Sequence, residues 1–351
     1  MGGGNWDVGT YTRTNAANAA AGKSTFDYDY QVKSGKASGV NPLLNPAKVA
    51  GATSPFAGRV MREVCVTDEH PDPTAILIWL DVTGSNFSAA EVVHGKLPKL
   101  QSYLKDGNFC NDPQINVSAV GDANSDTYPL QFGQYESDNR LDDQIAAIIL
   151  EGAGGGQMRE TYELGAYMGA RHVNMEPYEL YGKKGFVFFI GDELPYLTIR
   201  NDFRSGNWYQ TGHTMKSLTG DTLDEPLDTA QVFAELMEKN HVFFLFQKQG
   251  SYRAAEIVPT WQSLIGKENV VELDDPGTVV EVIAALIARF EGDLDTDTIK
   301  SAMLKAGGST KDVELASKAV ASLGTGKGKG GKMARVTGAI TAGKGSGTAR
   351  L

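Results

Sequence analysis

Two runs of this chain are apolar at every position, and each stops at an acidic residue. Ala75-Ile76-Leu77-Ile78-Trp79-Leu80 ends in Asp81, and Phe186-Val187-Phe188-Phe189-Ile190 ends in Gly191-Asp192-Glu193. A strand with one face in water alternates apolar and polar residues. A strand covered on both faces does not, and such strands sit in the middle of parallel sheets. Parallel neighbours need crossovers, and the intervening segments have helical spacing. Residues 88–105 place Ala89, Val92, Val93, Leu97, Leu100 and Leu104 on one face. Further strands are expected at Ile115–Val120, near Leu130–Tyr135, and at Val242–Phe246 and Val270–Leu273. Helices are expected at 141–151, through Tyr162–Ala170, and at 229–239 and 279–290. A polar insertion covers about 196–226. The fold class is therefore α/β, a doubly wound and mostly parallel sheet flanked by helices.

The ends of the chain read differently. Glycine makes up about 12% of the 351 residues, against a usual ~7%, and the excess is concentrated at the two ends and at Gly154-Gly155-Gly156. Residues 1–73 read as an irregular N-terminal arm and lead-in, residues 74–291 as the α/β domain, and 292–323 as a short helical extension. Residues 324–351 form a Gly-rich tail carrying Lys327, Lys329, Lys332, Arg335, Lys344 and Arg350 with no acid. Gly22-Lys23-Ser24 resembles the end of a phosphate-binding loop. Ala17 stands where that motif needs its first glycine, and no apolar strand precedes it.

Composition excludes several classes. A net charge of −10 argues against a general nucleic-acid binder, which needs a basic face. The basic tail has no aromatics on which bases could stack, so no specific nucleic acid is expected. Two cysteines, Cys65 and Cys110, build neither a disulfide scaffold nor a cysteine-rich zinc site. The five histidines form no closely spaced pair. No apolar stretch is long enough to span a membrane and the N-terminus has no secretory pattern, so a cytoplasmic location is expected.

Both apolar strands place a carboxylate at their carboxyl ends, where ligands bind in sheets of this class. Asp81-Val82-Thr83-Gly84-Ser85 adds two hydroxyls on the same tight loop, ahead of a helix. An all-oxygen donor set suits a hard cation such as Mg²⁺. This stretch resembles the metal-ion-dependent adhesion site of von Willebrand factor A domains, whose first motif is D-x-S-x-S, with Thr83 standing for the first serine. The resemblance covers about residues 74–291. It implies Thr161, which opens a helix after the glycine run, as the second element and Asp192 as the third. The metal ligands it implies are Asp81, Thr83, Ser85, Thr161 and Asp192, with Mg²⁺, or Mn²⁺ or Ca²⁺, as the ion. Asp122 and Asp126, on a turn, could stand behind them.

The resemblance also implies a binding module and not an enzyme. A partner protein's Asp or Glu carboxylate would complete the ion's shell. Prokaryotic members serve as adaptors or substrate selectors for AAA+ ATPases of the MoxR type, or act in stress and phage-conflict systems. Two other classes stay open. One is an assembly subunit that self-associates through its terminal arms. The other is a metal-assisted hydrolase built on Asp81, Asp192 and Glu193.

Overall fold

A computed structural model describes residues 4–45, 62–84, 87–110, 112–152, 158–200, 203–204, 207–208, 211–248 and 253–321. The tail at 324–351, the glycines at 154–156 and Ser85 lie outside the described residues.

The central sheet has six strands: β1 (Thr74–Asp81), β2 (Pro113–Val120), β3 (Leu130–Gln131), β4 (Gly185–Gly191), β5 (Asn240–Gln247) and β6 (Val270–Leu273). Their spatial order is 3-2-1-4-5-6. All neighbours are parallel except β2–β3, which are antiparallel. Strands β1, β2 and β4 are buried along their whole length, which explains the unbroken apolar runs of β1 and β4, while β2 buries Gln114, Asn116 and Ser118 as well.

Side chains along β1 alternate between two apolar layers. Ile76, Ile78 and Leu80 face one layer, and Leu77 and Trp79 the other. The first layer is closed by α3 (Phe87–Gly95), α4 (Leu97–Lys105) and α9 (Val279–Phe290). The second is closed by α6 (Tyr162–Arg171), α7 (Thr229–Lys239) and α8 (Ala254–Ile265). Helices α10 (Thr296–Lys305) and α11 (Thr310–Ala321) extend the first layer with Ile299, Met303, Val313, Ala316 and Val320.

Four expectations change. The segment 88–105 is two helices, because Pro98 lies in the first turn of α4 and cannot continue a preceding helix. The helix expected at 141–151 is α5 (Arg140–Ala146) and stops early. Beyond it the Gln131 side-chain amide takes the place of a strand, accepting from the Ile149 N–H and donating to its carbonyl, both at 2.8 Å. Helix α8 is not legible in the sequence, since Pro259 lies inside it.

The fourth change concerns the arm, whose described residues 4–45 are not irregular. It holds α1 (Val8–Ala20), capped by Asp7, and α2 (Asp27–Lys33). Three widely spaced residues, Trp6, Phe26 and Leu44, are buried in the first layer. Trp6 Nε1 donates to Asp142 at 2.9 Å, and the Tyr11 hydroxyl donates to the His94 carbonyl at 3.0 Å. A few anchors hold a segment whose average composition is that of a loop.

Candidate metal centre

The strand order reverses at β1: the chain runs outward to β2 and β3, then returns to β4 on the other side. A crevice therefore opens at the carboxyl ends of β1 and β4. Leu80 pairs with Ile190 across these strands, so Asp81 and the Gly191-Asp192-Glu193 turn leave the sheet side by side. Asp81 and Thr83 are buried, and so is Asp192.

Asp81 is held from two directions. The Thr83 amide and hydroxyl donate to its Oδ1 at 2.9 and 2.7 Å, and the Tyr162 hydroxyl donates to its Oδ2 at 2.7 Å. Two glycines permit close approaches here. A Cβ on Gly191 would collide with the Tyr162 hydroxyl, and one on Gly84 would stand 3.0 Å from the Gly152 carbonyl.

The electrostatics are those of crowded acid. Burial, and then the charge of Asp192, push the Asp81 carboxyl up to about 6 against the hydrogen bonds from Thr83 and Tyr162. Burial and Asp192 push Glu193 up to about 7, although Arg253 stands 3.7 Å away and opposes this. Glu160 is raised well above the usual carboxylate range, first by burial and then by Asp81, Asp122 and Asp126.

Thr161 lies on the same rim, between Glu160 and Tyr162, and is fully buried. Its hydroxyl faces the β2–β3 turn. It donates to the Gly121 carbonyl and accepts from the Ala123 amide at 3.2 Å. Asp122 and Asp126 serve that turn. Asp126 accepts from the Asp122 amide at 2.7 Å, and Asp122 accepts from Ser125, Asn124 and the Tyr196 hydroxyl. Of the five expected ligands, the fold thus brings Asp81, Thr83 and Asp192 to one crevice. It sets Thr161 beside them with its hydroxyl turned to the loop, and Ser85 lies outside the described residues.

The donor set fits a hard divalent cation. Two buried carboxylates and a hydroxyl lie on one rim, and the group that acts most strongly on Asp81 after burial is another acid. Among the described residues no three acidic, histidine or cysteine side chains are grouped so that they could hold a metal ion by themselves. Glu160 and Tyr162 are the rim residues that sequence reasoning missed. Tyr162 was visible only as an apolar-face position of its helix.

The fold and crevice together define an α/β protein with a single reversal of strand order and an acidic, hydroxyl-bearing rim at that reversal. No family model matches the chain, and no curated protein is similar to it at a significant level. Three solved structures resemble it in architecture. One is the pilus adhesin SpaC from Lactobacillus rhamnosus GG in its open conformation, with a TM-score of 0.42 and 13% identity over 66% of this chain and 30% of that one. Another is proximal thread matrix protein 1 from the mussel byssus, with 0.38 and 11% over 62% and 47%. The third is the vWF domain of the type V pili tip protein Mfa5 from Porphyromonas gingivalis, with 0.39 and 10% over 63% and 95%. This chain spans under half the length of the first two. These likenesses say nothing about what it binds.

Proposed function

We propose that the chain is a metal-dependent protein-binding module. Its β1/β4 rim holds a divalent cation, Mg²⁺ in the first instance, through Asp81, Thr83 and Asp192, with Ser85 and Thr161 as the further hydroxyl ligands. The observation that carries this reading is the placement of Asp81: a fully buried carboxyl at the end of β1, beside the segment that carries a second buried acid, Asp192. Burying charge of one sign is unfavourable unless it is paired or binds a metal. Bound there, a divalent cation would supply an electrophilic centre for an oxygen from outside. The chain's own part is to present few charges and neutral hydroxyls, so that a partner's Asp or Glu carboxylate is attracted. An adaptor role, for instance beside an AAA+ ATPase, follows from the sequence resemblance and is part of this proposal. Among the described residues no helix is long and apolar enough to cross a membrane.

Glu193 favours a second reading. A carboxyl at about 7 is matched to proton transfer near neutral pH, as metal-assisted hydrolysis requires. Its nearness to Arg253 gives it a structural role as well, so binding is the reading preferred. Self-assembly through the N-terminal arm is less supported, because Trp6, Phe26 and Leu44 are used on the chain's own core.

Affinity capture with and without EDTA, using wild type and Asp81→Ala, tests the proposal. Partners retained by wild type in Mg²⁺ and lost in both EDTA and Asp81→Ala are the expected result. Equal capture in all arms would refute it.

A further inference from the structure

At the end of the sheet opposite the rim, where β1 and β2 begin, three side chains form a chain of hydrogen bonds. The Ser137 hydroxyl lies 3.1 Å from His70 Nε2, and His70 Nδ1 lies 2.6 Å from Asp112 Oδ1. The three come from separate segments, each fixed by its backbone. His70 closes a turn with Thr67, the two exchanging backbone hydrogen bonds at 2.9 and 3.1 Å. The Asp112 carbonyl accepts from the Thr74 amide, which opens β1, at 2.8 Å. Ser137 follows Glu136, which is bridged to Ile115 of β2, and its carbonyl accepts from the Trp6 amide of the arm at 2.7 Å.

The order of these contacts assigns roles. In a neutral imidazole one nitrogen donates and the other accepts. An ionised Asp112 only accepts, so the hydrogen sits on Nδ1 and Nε2 is left to accept from the Ser137 hydroxyl. Asp112 Oδ2 is buried with no hydrogen-bond partner among the described residues. Its charge is therefore poorly solvated, and a proton gained by the ring offsets it. A base within reach of a hydroxyl, and itself oriented by a third group, is the arrangement that activates a serine. Ser137 is 6% exposed, and its neighbours Asp138 and Asn139 are half-buried. His70 is buried between exposed Glu69 and Pro71. The hydroxyl thus lies just beneath the surface.

We propose that these residues form an acyl-transfer site for small uncharged esters, separate from the rim, with Ser137 as nucleophile, His70 as general base and Asp112 as the positioning residue. The Ser137 oxygen adds to the ester carbonyl carbon while its proton passes to His70 Nε2. The bond from that carbon to the alkoxy oxygen then breaks, and the proton leaves with the alcohol. Water, giving a proton to the same nitrogen, adds to the acyl-serine. The acid departs and Ser137 recovers its hydrogen. Anionic esters are disfavoured, because Glu136 and Asp138 flank Ser137 and share the single Arg140, at 2.9 and 3.1 Å.

The test treats the full chain with a fluorophosphonate probe and with p-nitrophenyl acetate. Both are read in EDTA, so the outcome does not depend on an ion at the rim. One adduct per chain is expected, on Ser137 by peptide mapping, formed with loss of fluoride and absent from Ser137→Ala. Ester hydrolysis should disappear in the same variant. His70→Gln should slow labelling about a hundredfold or more, and Asp112→Asn, which no longer fixes the ring hydrogen on Nδ1, by a similar factor. Three side chains that merely fasten loops would leave Ser137 as inert as any other serine, so no adduct in wild type overturns the proposal. Labelling of folded His70→Gln at the wild-type rate overturns it too, as does ester hydrolysis that persists in Ser137→Ala. Should His70→Gln fail to fold by thermal melting, Asp112→Asn decides by the same comparison.

Discussion

Buried acid is handled in two ways in this molecule. On the flank where the C-terminal helices dock, Glu281 of α9 is almost fully buried. Lys96 Nζ reaches both its oxygens, at 3.1 and 3.0 Å, and extends to Asp312 of α11 at 3.3 Å. The Tyr103 hydroxyl adds a longer contact of 3.4 Å. At the β1/β4 rim, Asp81 is equally buried and is given hydroxyls, an amide and another acid. The same chain can thus place a lysine against a buried carboxylate and does so where three helices must be joined. The flank is a finished structure, while the rim, on the reading proposed above, would take a cation from outside. Removing charge from the two places should therefore have opposite consequences.

The largest effect is expected at the flank. Lys96→Met leaves Glu281 buried without its cation. Breaking a buried pair costs about 3–5 kcal/mol, and Lys96 is 29% exposed, which moves the expectation down to about 2–4 kcal/mol. Urea unfolding should show this loss equally with and without Mg²⁺. A loss under about 0.5 kcal/mol would mean the pair is not what secures the flank, and the contrast would fail.

The rim should respond with the other sign. In metal-free protein the folded Asp81 holds its proton up to about 6, whereas the unfolded chain releases it near 3.8. Glu193 acts in the same direction, with its folded value at about 7. Between about pH 4 and 7 the folded chain binds more protons than the unfolded one, so stability falls as pH rises through this window. For Asp81 alone the displacement corresponds to about 3 kcal/mol. Asp81→Asn keeps an acceptor for Thr83 and removes the charge. It should flatten the pH dependence and raise metal-free stability at pH 7 by about 1–2 kcal/mol, below the full electrostatic figure because the amide fits Tyr162 less well. Thermal melts at pH 4.5 and 7 in EDTA measure this. A wild-type protein whose stability rises over that range would show that the rim's charge is already compensated.

The sequence carried the frame of this contrast and not its detail. Strands β1 and β4 were legible because only strands buried on both faces are apolar at every position, and their terminal acids fixed the crevice. Asp81, Thr83 and Asp192 were readable as neighbours for that reason. Glu160 was not, since nothing local distinguishes it. Its position depends on pairing with Leu194–Pro195, a tertiary fact. The Thr161 hydroxyl was readable as a helix-opening residue, but its engagement with Gly121 depends on how the β2–β3 turn folds over it. The docked arm was hidden likewise: Trp6, Phe26 and Leu44 are too far apart to form a period, and only the assembled core shows what they fill.

The smallest effect expected separates a ligand from a structural hydroxyl. Thr83 donates to Asp81 through its hydroxyl and its amide. Thr83→Ser keeps both donors and removes a methyl from a buried position, so Mg²⁺ affinity should change less than twofold by calorimetric titration. Thr83→Ala keeps the amide and loses the hydroxyl. It removes an oxygen from the donor set and frees Asp81 Oδ1 of one hydrogen bond, two changes that act oppositely on the ion. The lost oxygen weakens binding, while the released carboxylate lone pair strengthens it. A direct ligand should therefore show a net fall of about tenfold. A group that merely positions Asp81 should show a smaller fall or a gain. Equal affinity for Thr83→Ala and wild type would remove Thr83 from the ion's shell and leave the rim to its carboxylates, which would make it more like the flank, a place where charge alone is balanced.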